Sequence, residues 1–125
     1  MNVSRELELI RTLMRRIDNG PQRAERAGSE FLGDGIEDFL LTEHLGLLIA
    51  AGYLHGRHVE PLGATMADGV VVTGMTACGR RFLEASTNAL SWAHIKHFAE
   101  RKGSAVTTTV LGEIASSLGM RPLAA

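Results

Sequence analysis

The stretch IEDFLLTEHLGLLIAAG, residues 36–52, predicts a central helix that is apolar on two sides. Its apolar side chains recur at helical spacing and fall into two stripes. One stripe holds Phe39, Leu40, His44, Leu47, Leu48 and Ala51, and the other holds Leu41, Leu45 and Ile49. A helix with two apolar sides lies mostly buried between its neighbours. Residues 36–52 therefore predict the centre of the fold.

The limits of this helix are marked by polar and glycine residues. Asp34 and Glu37 have the spacing of a capping box, which predicts a start at Asp34. Gly52 stands where a left-handed residue would end the helix. The absence of glycine and proline between Ile36 and Leu45 favours one helix, although Thr42 could cap a second one. Whether residues 34–51 form one helix or two stays open.

The elements before and after the central helix follow from the same patterns. Apolar residues at helical spacing predict a first helix over residues 4–19, which Asn19-Gly20-Pro21 ends. The polar connector that follows could include a short strand at 30–32. Beyond the central helix, residues 53–59 and 70–73 read as two strands around a connector with proline and glycine. They predict a two-stranded wing with a long tip.

The carboxy-terminal part is predicted to be helical. Thr76 can cap a helix that packs Phe82, Leu83 and Cys78 inward, and two more helices are predicted over about 88–102 and 105–119. The apolar side chains of these last two helices exceed what a small core needs to close. They form either an added layer within the monomer or a dimer interface. The dimer candidates are Trp92, Ile95, Phe98, Val110 and Ile114.

Length and composition bound the fold and its setting. A chain of 125 residues fits one domain, and the order of elements predicts a mainly helical α+β fold. Its core, about residues 4–87, is winged-helix-like and is followed by a helical hairpin at about 88–119. No apolar run approaches the roughly 20 residues of a membrane span, and MNVSRELELIR does not resemble a secretory signal. We expect a cytoplasmic protein, with its single cysteine, Cys78, buried.

Three stretches resemble a bacterial, largely prophage-associated family known as domain of unknown function 2513. They are RELELIR near the start, EHLGLLIAAGYL at 43–54 and GMTACGRRFLEASTNALSW at 74–92. The family pattern His-Leu-x-Leu-Leu-x-x-Ala-Gly-Leu-Ile is met in the second stretch by His44, Leu45, Leu47, Leu48, Ala51 and Gly52. The pattern Gly-Leu-Thr-x-x-Gly-x-x-Phe-Leu-x-Ala, followed by a tryptophan, is met in the third by Gly74, Thr76, Gly79, Phe82, Leu83, Ala85 and Trp92. The resemblance implies a winged-helix-like fold and brings no activity with it.

The chain departs from the family pattern at three places. Ala77 stands where tryptophan is common, Thr87-Asn88 replaces a more charged pair, and the connector at 57–69 is long. These departures leave the fold expectation intact, because they affect the surface more than the core.

DNA binding has a weak basis in the central helix. A reading helix presents Arg, Lys, Asn or Gln to base edges, but residues 42–51 offer only Thr42, Glu43 and His44. A net charge of −1 also lacks the basic excess of a phosphate-binding protein. Basic residues elsewhere are the better candidates for phosphate contacts. They are Arg57 and His58 on the wing and Arg80 and Arg81 on the following helix, with Arg11, Arg15 and Arg16 on the first helix.

The sequence contains no recognisable motif for metal binding or for catalysis. His94 and His97 share a helix face and His55 and His58 are neighbours, but no zinc spacing accompanies them. His44 is expected to be a core histidine with a ring nitrogen bonded to the backbone. No phosphate loop or nucleophile setting occurs, so we expect no catalysis and no cofactor.

Two functions remain open. The first is a phage or prophage regulator that binds duplex DNA. The alternative is a winged helix that binds a protein, such as a phage-encoded inhibitor or adaptor of a host protein. The near-neutral charge and the acidic, apolar central helix favour the alternative, and the usual use of the fold favours the first.

Overall fold

The computed structural model describes residues 2–33, 35–61 and 63–119. Within these ranges the chain is a mainly helical α+β fold, as predicted, with a small antiparallel sheet. None of the described helices is long and apolar enough to cross a membrane. The helices are α1 (Val3–Asn19), α2 (Asp38–Ala50), α3 (Ala77–Ser86), α4 (Ala89–Lys102) and α5 (Thr108–Ser117).

Helix α1 forms as predicted. Asn2 caps it by accepting a hydrogen bond from the Arg5 backbone N–H at 2.9 Å, which satisfies one of the free donors of the first turn. The N–H of Gly20 donates to the Arg16 carbonyl and closes the last turn. One face of the helix is buried in the core along its whole length. Its buried residues are Val3, Leu7, Ile10, Leu13, Met14 and Ile17.

Helix α2 is a single helix, which answers the question that Thr42 had left open. Thr42 donates its hydroxyl to the Asp38 carbonyl one turn earlier, at 2.8 Å, and so does not cap a second helix. The helix starts later than predicted, because Glu37 occupies the N-cap position. The predicted cap, Asp34, lies outside the described residues. Gly52 adopts φ 79°, as expected of a left-handed stop.

The sheet contains the two predicted strands and one that was not predicted. They are β1 (Arg26–Ala27), β2 (Leu54–His58) and β3 (Val70–Met75), antiparallel and in the order β1-β3-β2. The β2–β3 hairpin has a bulge between His55 and Gly56. Two 3₁₀ turns flank the sheet, the first at Gly28–Phe31 and the second at Met66–Gly69.

The predicted strand at 30–32 is wrong. Residues 30 and 31 belong to the first 3₁₀ turn, and the pairing strand lies just before it. The Glu30 carboxylate accepts from the Ala27 N–H at 3.2 Å, which folds the segment back on itself. A side chain that binds nearby backbone in this way favours a turn over a strand.

The carboxy-terminal helices complete the core. Thr76 caps α3 as predicted: its hydroxyl oxygen accepts from the Gly79 N–H at 3.0 Å and donates to the Gly52 carbonyl at 2.6 Å. Asn88 caps α4 and Thr107 caps α5. Cys78, Phe82 and Leu83 are buried, as the apolar pattern predicts.

The residues proposed for a dimer interface are used within the monomer. Trp92, Ile95, Val110 and Ile114 are buried in the core, and Phe98 packs against it partly exposed. The Trp92 ring meets the Phe82 ring edge-on at 5.9 Å between centroids. These side chains therefore form an added layer within the monomer, which was one of the two predicted uses, because the chain itself covers them. A homodimer remains a prediction that these residues no longer support.

Candidate functional site

The outward side of α2 forms one wall of a cleft of about 300 Å³, which we call the α2 groove. The hairpin supplies the opposite wall. Phe39 and Met66 line it with 51% and 47% of their surface exposed. Large apolar side chains that are half-exposed and adjacent mark binding surfaces more often than isolated ones do. The groove is lined by Phe39, Thr42, Glu43, Gly46, His58 and Met66.

Asp38 holds the two walls of the α2 groove together. Its carboxylate accepts hydrogen bonds from the backbone N–H groups of Met66, at 2.6 Å, and Ala67, at 2.8 Å. Ala67 is fully buried behind this contact. The first residue of α2 therefore fixes the second 3₁₀ turn, and with it the position of Met66 beside Phe39.

The sequence patterns did not reveal this groove. Phe39 had been assigned to a buried stripe of the central helix, and its 51% exposure corrects that assignment. The helix is apolar on two sides, so periodicity alone could not decide which side faces solvent. Met66 lies in the connector, where no periodicity applies. The available signal was Asp38, an acidic residue at a helix start that can bind backbone N–H groups from another segment.

The α2 groove has one carboxylate, that of Glu43, among its described lining residues. Glu43 lines it and is exposed, and Glu37 and Glu60 are exposed close by in the chain. His58 is the basic side chain among its lining residues. Carboxylates at such a surface repel phosphates. The expectation that α2 is a poor reader of DNA bases stays a prediction.

The four nucleic-acid candidates are all exposed, but they do not form one patch. Arg57 pairs with Glu25 at 2.6 Å, and Arg80 pairs with Asp18 at 3.2 Å. His58 lines the α2 groove, and Arg81 is exposed on α3. Arg57 aligns with Val71 while α3 begins beyond Met75. The wing arginine and the α3 arginines therefore lie toward opposite ends of β3, roughly 13 Å apart along the strand at the usual rise per residue.

The arginines of α1 serve contacts within the fold. Arg11 pairs with Glu8 at 2.5 Å, donates to the Ser86 carbonyl at 3.2 Å, and lies 4.5 Å from the centre of the Trp92 ring. Arg16 donates to the Phe31 carbonyl at 2.8 Å. Arg15 is exposed. Two of the three are therefore engaged in holding α1 to its neighbours.

His44 is the core histidine that was expected. It is 6% exposed, and its Nδ1 lies 2.8 Å from the Leu40 carbonyl oxygen. Its Nε2 lies 3.0 Å from the Glu6 carboxylate. The four other histidines, two on β2 and two on α4, are exposed. Among the described residues, no group of three or more His, Cys, Asp or Glu side chains is placed to hold a metal ion.

The buried Tyr53 and Cys78 have structural roles. The Tyr53 hydroxyl donates to the Leu111 carbonyl at 2.6 Å and ties the end of α2 to α5. Burial raises the pKa of Tyr53, and the neighbouring Cys78 adds to that increase. Burial also raises the pKa of the Cys78 thiol. Thiolate is the reactive form of cysteine, so this thiol is suited to packing.

The residues that carried the family resemblance build the fold. Gly52 takes the left-handed conformation, and Thr76 joins that stop to the start of α3. Gly79 lies against the backbone of Tyr53, and Phe82 meets Trp92. The shared motif is therefore explained by packing, and the α2 groove lies outside most of it.

Comparison with known proteins agrees with this resemblance. The model of a family described as "Hypothetical protein (DUF2513)" matches residues 4–105. No curated protein and no solved structure matches the chain. The matched span begins in α1 and runs through the sheet, α3 and α4. The chain therefore belongs to the DUF2513 family.

Proposed function

We propose that the chain is a cytoplasmic, non-catalytic module of the winged-helix type, of phage or prophage origin, that binds a segment of a partner protein in the α2 groove. The observation that carries this proposal is the pair Phe39 and Met66, both about half-exposed and both lining the α2 groove, Phe39 from the outward face of the central helix and Met66 from the second 3₁₀ turn. In a DNA-binding winged helix, that face would carry polar and basic side chains.

The order of elements supports the winged-helix part of the proposal. A winged helix runs helix, strand, helix, helix, strand, wing and strand, with the first strand paired to the last. Here α1, β1, the first 3₁₀ turn, α2, β2 and β3 follow in that order, and β3 lies between β1 and β2. The 3₁₀ turn takes the place of the second helix. The α2 groove then lies between the recognition helix and the wing.

The chemistry of the α2 groove specifies its partner. Phe39 and Met66 offer an apolar contact, and methionine adapts to differently shaped side chains. The exposed carboxylate of Glu43 in the groove favours a positively charged neighbour. The partner segment is therefore expected to carry an apolar anchor flanked by lysine or arginine. A host protein is the partner class that this proposal names.

DNA-associated regulation is the second candidate, because Arg57, His58, Arg80 and Arg81 are all exposed. Arg57 pairs with Glu25 and Arg80 pairs with Asp18, and both ion pairs lie on the surface. Surface ion pairs contribute little to stability. A duplex phosphate could replace either carboxylate. Such contacts would be weak and would fall steeply with salt.

Selection of displayed random peptides on the full chain tests the first proposal. We expect the enriched peptides to combine an apolar residue with lysine or arginine, and to lose binding to the Phe39→Ser variant. Leu90→Ser is the matched control, because Leu90 is also apolar, is 85% exposed, and lies on α4 away from the groove. Peptides that bind Phe39→Ser as well as the wild type, or that carry acidic residues, would contradict the proposal.

Binding to random duplex DNA at low and moderate salt separates the two candidates. The protein-binding proposal expects no DNA binding at low salt. DNA binding that disappears in the Arg80→Ala, Arg81→Ala double variant would favour regulation of DNA instead. The peptide selection and the DNA titration use the same chain, so their results can be compared directly.

A further inference from the structure

His44 and Glu6 form a buried pair that joins three segments of the chain. His44 of α2 is buried, and its Nε2 lies 3.0 Å from the Oε2 atom of Glu6, in the first turn of α1. The other carboxylate oxygen of Glu6, Oε1, accepts from the Val106 N–H at 3.2 Å, just before α5. A single carboxylate therefore ties α1 both to the central helix and to the segment that leads into α5.

Both ring nitrogens of His44 face oxygen atoms that accept hydrogen bonds. Nδ1 lies 2.8 Å from the Leu40 carbonyl oxygen, so Nδ1 carries a hydrogen. A neutral imidazole has only one N–H, which would leave Nε2 bare and facing the Glu6 carboxylate, lone pair against lone pair. A proton held between Nε2 and Oε2 turns that repulsion into a charge-assisted hydrogen bond. The contact therefore requires the pair to bind this proton.

Glu6 is the charged group that contacts His44 among the residues that the structure describes. Arg5 and Glu43, their neighbours in the chain, are exposed. The charged and titratable side chains on the elements packed against α2 are exposed or held by other side chains. They are Glu30 and Asp68 on the 3₁₀ turns and Glu113 on α5, each with another partner, and the exposed His55, Arg57 and His58 of β2. Glu6 is thus the group that favours a proton on His44.

We propose that His44 and Glu6 form a pH-sensitive clasp, which is closed while a proton lies between Nε2 and Oε2 and opens when that proton is lost. Histidine changes its charge between about pH 5 and 8, and in a coupled pair the titration belongs to both groups. As the pH rises, the proton leaves Nε2 for solvent, while Nδ1 keeps its hydrogen on the Leu40 carbonyl. The bare Nε2 then repels the Glu6 carboxylate, which also holds Val106. The clasp therefore stabilises the attachment of this segment at lower pH and ceases to do so as the pH rises.

A pH titration of the wild type followed by NMR tests this proposal, from about pH 5 to 9 so as to cover the range in which histidine titrates. We expect the Nε2 atom of His44 to be protonated at the acidic end and bare at the alkaline end, with Nδ1 protonated throughout. The Val106 amide resonance should shift with the same midpoint, and the Gly112 amide on α5 should not follow it. A His44 ring that does not change its protonation, or a Val106 amide that does not follow it, would overturn the proposal.

Glu6→Gln tests the role of the carboxylate with a side chain of nearly the same shape. Its amide can accept from the Val106 N–H and donate to a bare Nε2 at once, so the Val106 amide should no longer shift with pH. We expect His44 of this variant to lose its proton about one pH unit or more below the wild type, because the negative charge is gone.

Glu100→Gln, exposed on α4, is the matched control and should keep the wild-type midpoint. An unchanged midpoint in Glu6→Gln would show that the carboxylate does not hold the proton and would overturn the proposal. The wild-type titration decides the matter if Glu6→Gln does not fold.

Discussion

At the scale of single residues, Gly79 shows how closely this fold is packed. It lies in α3 where the helix crosses the start of the hairpin. A Cβ atom at this position would lie 2.1 Å from the Tyr53 carbonyl oxygen and 2.9 Å from the Met14 Cε atom. The first of these neighbours is backbone and cannot move without moving the strand. Only glycine therefore fits.

We predict that Gly79→Ala lowers the free energy of unfolding by about 1–3 kcal/mol, the usual cost of overpacking a core, even though alanine favours helices. Gly112→Ala on α5 is the matched control. A Cβ there would meet nothing within 4 Å, so alanine should stabilise the helix by roughly 0.5–1 kcal/mol. Urea unfolding measures both. A Gly79→Ala variant as stable as the wild type would contradict the close approach.

Residues with a local signal could be predicted from the sequence. Thr76 and Gly52 act through adjacent backbone, and His44 bonds to the carbonyl one turn before it. Arg26 could not be predicted in this way. Its burial depends on α1 and the first 3₁₀ turn coming together, and nothing in its local sequence distinguishes it from the exposed Arg23.

At the scale of elements, Glu8 joins α1 to α4. Its carboxylate accepts from Trp92 Nε1 at 2.9 Å and from Lys96 Nζ at 3.2 Å, and it pairs with Arg11. Burial acts to raise the pKa of Glu8, but the hydrogen bonds from Trp92 and Lys96 and the charge of Arg11 outweigh it and hold the pKa below its usual value. The charged form of Glu8 therefore stabilises the fold.

The stability difference between the wild type and Glu8→Gln should depend on pH. Because folding lowers the pKa of Glu8, its contribution is present above the unfolded value of about 4.3 and is lost as the pH falls through the folded value. We expect the wild type to be the more stable at neutral pH and the two proteins to converge in acid. Glu100→Gln, exposed on α4, is the control. Urea unfolding at a series of pH values measures the difference, and a difference that does not change with pH would rule out this role.

The elements differ in how well patterns predict them. Helices α1, α3 and α4 follow their apolar spacing and caps closely, and β2 and β3 follow their apolar runs. Strand β1 has two residues, and its pairing of Arg26 with Val72 joins positions far apart in the chain. No local pattern predicts such a pair. The α2 groove was missed for a related reason, since the exposed side of a helix that is apolar all round is set by its neighbours.

At the scale of the whole molecule, one core spans the chain from Val3 to Ala115. Polar contacts between distant segments tie α5 and the residues just before it to the rest of this core. Glu6 of α1 accepts from the Val106 N–H at 3.2 Å, just before α5, and the Tyr53 hydroxyl donates to the Leu111 carbonyl at 2.6 Å. The carboxy-terminal helices are therefore part of the same unit as the sheet.

We predict a single unfolding transition. Trp92, the one tryptophan of the sequence, lies on α4 and contacts Phe82 of α3, so its fluorescence reports on the junction of the two parts. Circular dichroism reports on all helices. For one cooperative unit, the two signals should give the same urea midpoint. If Trp92 fluorescence changed at a lower urea concentration, the carboxy-terminal helices would be a separate unit.

The layer formed by α4 and α5 could be predicted only in part. Apolar spacing predicted the helices and their apolar faces, and two uses for those faces stayed open. Trp92 and Ile114 could pack against their own chain or against a second copy. The outcome depends on the orientation that the connectors at 87–88 and 103–107 give to α4 and α5. That direction is a property of the assembled core, and composition carries no signal for it.

The bulge between His55 and Gly56 has a consequence for self-association. Strand β2 lies at the edge of the sheet, and edge strands that are long, flat and apolar recruit strands from other molecules into fibres. Strand β2 has five residues, is bent by the bulge, and exposes His55, Arg57 and His58. The β2 edge of the sheet is therefore protected against growth by strand addition.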